Sequence, residues 1–387
     1  MLCERRKLLL GLFIMKVLHL ISGGDTGGAK THIISLMKQL NRMIEAKVIC
    51  FIKDTFYYDL LKEGINIEVF MQKSRMDMSV TKRLVDEIQR EGYDIIHCHG
   101  ARANFLAMFI KNKINKPMLT TIHSDYRLDF RDNFYKRIIF TPLNALALRK
   151  FDYYIAISDE FKKMLVDRGF KEDRIFVVYN GIDLEDEPAY VSKEEFLNRY
   201  NIDAKDKIIA GIIARLDLVK DHETFIKAAR KVLEKRKDIV FLIAGNGKDE
   251  NRIKSMVKEL NIEKHVYFLG YVEDQYSFFN AIDINVLTSV SESFPYAILE
   301  GAKFKKPIIS TDVGGIHHLI RDGYNGWLIK VRDFETLADR LLYLMENREI
   351  INTMGENLYK SVENSFSSKS MAESHYNIYE KIVHIRR

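Results

Sequence analysis

The sequence predicts an α/β protein built from two doubly wound domains, each an open parallel sheet covered by helices, facing each other across a cleft. Two observations carry this expectation. Short runs of Val, Ile and Leu alternate with amphipathic segments along most of the chain, and this rhythm stops once, in an acidic, turn-rich stretch, before starting again. A length of 387 residues, 47% of them hydrophobic with only 5 prolines, is enough to bury two cores.

In the first half the expected strands are Val17–Ile21, Lys47–Phe51, Ile67–Phe70, Ile95–Cys98, Leu119–Ile122, Tyr154–Ile157 and Ile175–Val178. They read as continuously apolar rather than alternating, as strands buried on both faces do. Asn180-Gly181-Ile182-Asp183 and Glu185-Asp186-Glu187-Pro188 follow without periodicity, which places a linker at about 181–191. The second series is Ile208–Ile213, Ile239–Ala244, Val266–Leu269, Ile282–Leu287, Ile308–Ser310 and Trp327–Ile329. The expected domains are therefore 1–190 and 191–369, with a terminal helix over 370–387. Ligands of such sheets gather at the carboxyl ends of the strands.

Residues 1–14 combine Glu4-Arg5-Arg6-Lys7 with a short apolar run, resembling a signal peptide in order but lacking a small-residue cleavage site. They are expected to be a leader ahead of a natural start at Met15, and the chain to be cytoplasmic. Cys3, Cys50 and Cys98 have no metal-ligand spacing and read as reduced thiols. The formal net charge of +6 suits an anionic substrate or an acidic membrane surface, and no concentrated basic stripe argues for nucleic acid.

The most informative stretch is Ser291-Glu292-Ser293-Phe294-Pro295-Tyr296-Ala297-Ile298-Leu299-Glu300, followed by Thr311-Asp312-Val313-Gly314-Gly315. Ser291 or Ser293 is expected to cap a helix that Pro295 opens, so that main-chain N–H groups and the helix dipole face an anion such as a phosphate. Glu300, one turn further in, can accept hydrogen bonds from a polyhydroxylated group such as a ribose. Upstream, the expected strand 208–213 ends in a loop carrying Arg215 and Lys220. A guanidinium that grips two phosphate oxygens and a compact ammonium together suit a diphosphate leaving group.

The two glutamates enclosing seven residues, with Phe-Pro-Tyr-Ala between them and Thr-Asp-Val-Gly-Gly after, resemble the donor-site signature of the family 4 retaining glycosyltransferases. The resemblance extends over nearly the whole chain from Met15. It implies the GT-B architecture, two Rossmann-like domains with a C-terminal helix crossing back to the first. It also implies a nucleotide-sugar donor bound through Arg215, Lys220, Phe294, Pro295, Tyr296, Ala297 and Glu300, with Glu292 at the transferred sugar and the base near Tyr271 and Val272. The glycine-rich turn after the first strand, with Gly27 and Gly28, is expected beside the donor phosphates and acceptor. It matches neither a Walker loop nor a clean dinucleotide fingerprint. Lys30 stands where the family often has an acid.

His123, at the carboxyl end of the fifth strand, is matched to the family's histidine against the donor sugar, with Asp125 beside it. His97 and His99 form an H-x-H pair without a third ligand in sequence, and His99, nearer the strand end, is the acceptor-side candidate. No Asp-x-Asp pair of the metal-dependent kind is evident, so neither metal nor cofactor is expected. Arg131, Lys136 and Arg137, interleaved with aromatics in 126–151, suit a helix resting on anionic lipid. The expected activity is a metal-independent hexosyl transfer, from a UDP-sugar to a glycan or lipid-linked acceptor in polysaccharide synthesis. An epimerase of the same fold and a two-domain solute-binding protein are the alternatives.

Overall fold

The computed structural model describes residues 15–24, 28–127 and 134–386. The expected leader over 1–14, Gly27 and Arg131 lie outside the described residues, as do the side chains of Lys136 and Arg137. The chain divides into two compact units, one ending at Tyr179 and taking in the segment from Ser368 onward, the other running Asn180–Ser367.

The first unit holds β1 (Lys16–Ile21), β2 (Glu45–Cys50), β3 (Ile67–Val69), β4 (Ile95–His99), β5 (Met118–Ile122), β6 (Tyr153–Ala156) and β7 (Ile175–Val177). All pair in parallel in the order β3-β2-β1-β4-β5-β6-β7. From β1 the chain steps outward to β3 and then returns to the other side of β1 at β4. That reversal opens a crevice at the carboxyl ends of β1 and β4, where helices leave the sheet in opposite directions.

Alternate residues of each strand enter separate cores. Leu18, Leu20, Ile96 and Cys98 pack on one face, and Val17, Ile21 and Ile95 on the other. Each such aliphatic side chain, taken fully out of water, contributes about 1.5–3 kcal/mol. The helix Gly28–Leu40 covers the second face together with the C-terminal helix Ser368–Arg386, which inserts Met371, Ala372, Tyr379 and Ile382 there.

The second unit holds β8 (Ile208–Ile213), β9 (Ile239–Ala244), β10 (Val266–Gly270), β11 (Ile284–Leu287), β12 (Ile308–Thr311) and β13 (Gly326–Ile329). Its order, β10-β9-β8-β11-β12-β13, is again parallel throughout. The winding reverses between β8 and β11, so loops 214–221 and 288–295 leave the sheet side by side. Ala210, Ile212, Phe241 and Ile243 line one core, and Ile209, Val240, Leu242 and Ala244 the other. Helix starts carry acceptors for otherwise unpaired N–H groups: Asp274 accepts from Ser277 N and Asp333 from Thr336 N. Among the described residues no helix is long and apolar enough to cross a membrane.

Candidate active site

In the second unit the site is assembled by two loops at the switch point. The first, after β8, is fixed to its neighbours by main-chain bonds from Ala214 N to Ala244 O (3.0 Å) and from Leu216 N to Asn246 O (3.0 Å). This close approach requires glycine at Gly245, which has φ +135°. A Cβ there would stand 2.0 Å from Ala214 O. Asp217 then folds the loop over itself, its Oδ1 accepting from Val219 N (3.1 Å) and Lys220 N (3.2 Å).

The second loop, after β11, is tied to the first. Thr288 Oγ1 donates to the carbonyls of Lys220 (3.0 Å) and Asp221 (2.9 Å), and Val290 N donates to Val219 O (2.8 Å). Thr311 Oγ1, from β12, donates to Ser289 O at 2.6 Å. These bonds bring Lys220 and Glu292 together: Nζ of Lys220 lies 2.5 Å from Glu292 Oε1, which also accepts from Ser289 Oγ at 2.6 Å.

Arg215 and Lys220 have different carboxylate partners. Arg215 is 78% exposed and paired with Asp217 at 3.1 Å, whereas Lys220 is largely buried against Glu292. Asp217, which pairs with Arg215 and accepts from Lys220 N, carries no sequence signal of that role.

The helix over the site is Tyr296–Lys303, and neither Ser291 nor Ser293 caps it. Pro295 itself takes the N-cap position, with extended ψ of 126° and no side-chain cap. Its ring presets φ at −76°, so the chain enters the helix one residue later than expected. Ser293 serves instead through its carbonyl, which accepts from Gly315 N at 2.8 Å. With no side-chain cap, the first N–H groups and the positive end of this helix suit an anion.

Phe294 is buried against Phe366 with ring centroids 5.2 Å apart, and Tyr296 is buried with its hydroxyl donating to Gly181 O. Main-chain groups are therefore what Phe294, Pro295, Tyr296 and Ala297 can offer a ligand. Glu300 is 5% exposed and accepts from Gln275 Nε2 at 2.9 Å. Burial pushes its carboxyl up to about 7, and the Gln275 hydrogen bond opposes that only in part. Gln275 carries no sequence signal of this role. Past β10, Tyr271 is exposed and Val272 buried. Asp283 and Asn285, the nearest approach to an Asp-x-Asp pair, have structural work. Asp283 accepts from Lys193 Nζ and Ile209 N, and Asn285 donates to Ala297 O.

In the first unit, Gly28 opens the helix at the crevice between β1 and β4, and Lys30 pairs with Asp59. His123 follows β5, and behind it lies a group of buried imidazoles. His99 Nδ1 is 3.3 Å from His123 Nε2, and His99 Nε2 is 3.0 Å from His19 Nδ1. His97 bonds Tyr379 OH and Thr121 Oγ1, each at 2.7 Å, while His32 and His375 close the group from the two covering helices. Burial, with the neighbouring imidazoles adding to it for several rings, pushes His19 down to about 3, His123 and His375 to about 4, and His97 and His99 well below the usual range.

The third histidine that the H-x-H pair lacked in sequence is thus supplied by the fold. Ring nitrogens of His19, His97 and His99, and of His32, His99 and His123, each lie within 4.8 Å of one another. His19 was visible as a polar residue inside a strand buried on both faces; His32 and His375 gave no such signal. Asp125 stands apart from this group, its two oxygens gripped by Arg168 at 2.6 and 2.7 Å.

Two family models match the chain: Glycosyltransferase Family 4 over residues 26–186, and Glycosyl transferases group 1 over residues 192–361. Among curated proteins, the UDP-Gal:alpha-D-GlcNAc-diphosphoundecaprenol alpha-1,3-galactosyltransferase of Escherichia coli is 24% identical, covering 79% of this chain and 80% of its own. The N-acetyl-alpha-D-glucosaminyl L-malate synthase of Bacillus anthracis is 27% identical over the same shares. Among solved structures, Anabaena HepE in complex with UDP superposes with a TM-score of 0.79 at 20% identity, covering 95% of this chain and 100% of that one. With the two models spanning both units and the two parallel sheets wound alike, the chain belongs to the family 4, group 1 glycosyltransferases and has the GT-B fold.

Proposed function

We propose that this glycosyltransferase is retaining and moves a hexose from a UDP-sugar to a glycan or lipid-linked acceptor in the synthesis of cell-surface polysaccharide. The observation that carries this reading is the Lys220–Glu292 pair at the switch point of the second sheet, beside a helix N-terminus with no side-chain cap. The names of the relatives support the substrate class: one is named for UDP-galactose and a diphosphoundecaprenol-linked sugar, another for O-antigen biosynthesis.

In this reading the second unit holds the donor. Glu300 accepts from the ribose hydroxyls, the turn at Tyr271 and Val272 meets the base, and the first-turn N–H groups of the Tyr296–Lys303 helix meet phosphate. The bond from the anomeric carbon to the diphosphate oxygen breaks while the acceptor hydroxyl bonds to the same face of that carbon. The acceptor's proton passes to the departing diphosphate oxygen. Negative charge grows on the diphosphate as this happens, and cations fixed in a poorly hydrated site stabilise it more than they stabilise the bound donor. Lys220 supplies that charge from a fixed position, with Arg215 joining on release from Asp217, so a divalent cation is not required. Glu292 orients a hydroxyl of the transferred sugar. In the first unit His123 serves the sugar, Gly27 and Gly28 lie beside the donor phosphates and acceptor, and Asp125 belongs to the acceptor side, while His99, buried behind His123, acts through that ring. We place the enzyme in the cytoplasm, at the inner membrane surface.

Incubation with a panel of nucleotide sugars and lipid-linked acceptors, with EDTA present, tests this reading. Free nucleoside diphosphate together with an acceptor glycosylated in the donor's anomeric configuration is the expected result. Isomerised donor would indicate an epimerase, and unchanged ligand a binding protein.

A further inference from the structure

The chain of imidazoles behind His123 has a direction, and that direction fixes how His123 meets its ligand. His19 and His99 sit on adjacent strands, with His19 opposite His97 and Ile21 opposite His99 in the β1–β4 register. Their rings are stacked with centroids 5.3 Å apart and linked nitrogen to nitrogen at 3.0 Å; His99 in turn reaches His123 at 3.3 Å. Both inner rings are inaccessible to solvent. A buried imidazole stays neutral, and a neutral imidazole has one N–H and one lone pair. Three such rings joined in series must therefore donate all one way.

The inner end of the series decides which way. His19 Nε2 is buried and has no hydrogen-bond partner among the described residues. An orphaned buried N–H is costlier and rarer than an acceptor left unfilled, so His19 Nε2 is the lone-pair end. His19 then donates through Nδ1–H to His99 Nε2, and His99 donates through Nδ1–H to His123 Nε2. The remaining proton of the series lies on His123 Nδ1. His97, its ring tilted against that of His99 with centroids 4.2 Å apart, does not interrupt this order, because its own partners are hydroxyls that can donate or accept.

We propose that His19 and His99 are positioning residues that lock His123 in the tautomer protonated on Nδ1, so that this ring meets its ligand as a hydrogen-bond donor to oxygen. This rests on the reading of His123 as a residue of the sugar site for its consequence, but not for its test. A donor ring holds a sugar hydroxyl or ring oxygen in place and is not a resting general base. The same lock explains a histidine in the middle of β1, where an aliphatic residue would pack at lower cost.

The test is long-range ¹H–¹⁵N correlation of the full chain labelled with ¹⁵N-histidine, near pH 7.5, with the His123 signals assigned by their loss in His123→Asn. Protonated Nδ1 and unprotonated Nε2 on His123 are expected in the wild type. His19→Leu removes the first donor and should leave His123 in mixed tautomers, with transfer slowed about tenfold, the scale of one lost hydrogen bond. His19→Asn, which returns an N–H near the place of Nδ1, should restore both the tautomer and most of the rate. A wild-type His123 protonated on Nε2 would overturn the lock, as would an unchanged His123 tautomer in His19→Leu. If the tautomer is as expected but His123→Ala transfers sugar normally, the lock stands and the sugar-site reading of His123 falls.

Discussion

Lys220 Nζ rests 2.5 Å from Glu292 Oε1, an ion pair that joins the loop after β8 to the loop after β11 across the reversal in strand order. Two roles for Lys220 follow, and they separate by experiment. If it only neutralises Glu292, removing both charges should cost no more than Glu292→Gln alone; if it also stabilises the departing diphosphate, the double variant should be slower than Glu292→Gln. We expect Lys220→Ala to lower kcat by about 10² to 10³, the cost of losing one preorganised donor to a growing negative charge. Adding Glu292→Gln should recover thermal stability, because the buried carboxylate no longer lacks a partner, and leave kcat low. A double variant no slower than Glu292→Gln alone would reduce Lys220 to a structural counter-ion.

Glu300 makes stability depend on pH. Its folded-state value, about 7, lies above the ordinary 4.5, so between those values the folded chain holds a proton that the unfolded chain has lost. The stability that this proton carries is complete below about pH 4.5 and declines as pH rises towards 7. Over that span the loss is on the order of 3 kcal/mol, since each pKa unit is about 1.4 kcal/mol. Glu300→Gln, neutral throughout, should gain on the wild type by roughly that amount between pH 5 and pH 8, read by denaturant titration. An equal pH dependence in both proteins would show that the carboxyl is ionised in the fold. The same variant should weaken UDP binding most at high pH, where the wild-type carboxylate is the better acceptor for ribose hydroxyls.

The fold was legible because nearly every strand is a short aliphatic run, a pattern that buried parallel strands impose regardless of tertiary context. The site was legible in part. Lys220 and Glu292 stand on the loops that leave the carboxyl ends of β8 and β11, with Glu300 in the helix that follows, and it was the family resemblance that implied one donor site for the three. What each side chain bonds to could not be anticipated, because Asp217 and Ser289 are ordinary residues of the same loops as Lys220 and Glu292, and Gln275 reaches Glu300 from a separate segment. Capping shows the same limit locally: Ser293 has the right chemistry for a cap, but Pro295 already sits at the helix entrance. The histidines illustrate it at long range, since His375 lies far along the chain and joins only through packing of the last helix.

Gly314 holds the site together by its lack of a side chain. It has φ +56°, and a Cβ there would stand 2.0 Å from Glu292 O. Gly314→Ala must therefore rotate the backbone or displace the loop that carries Glu292. Strain of both kinds should destabilise the chain by about 2–4 kcal/mol and weaken UDP binding, whereas Gly64→Ala, with φ +69° and nothing nearby, carries the backbone cost alone. Thermal melts with and without UDP compare the two. Equal losses of stability and unchanged UDP binding would mean that the loop position is not set by this contact.

The helix Phe134–Leu148 presents Ile138, Ile139 and Leu146 to solvent, at 55%, 53% and 53% exposure. Leu146 follows Ile139 by seven residues and Ile138 by eight, so the three fall on one face of the helix and can enter lipid together. Lys136 and Arg137 precede them in sequence and suit the anionic headgroups that such a segment would meet. Ile138→Ser with Ile139→Ser should reduce sedimentation with vesicles of mixed neutral and anionic lipid, as should Arg131→Gln with Lys136→Gln and Arg137→Gln, while UDP binding stays unchanged. High salt should weaken the wild type's association and leave the residual association of the charge variant nearly unaltered. Undiminished sedimentation of both variants would place the membrane contact elsewhere or remove it, and leave these isoleucines as ordinary exposed residues.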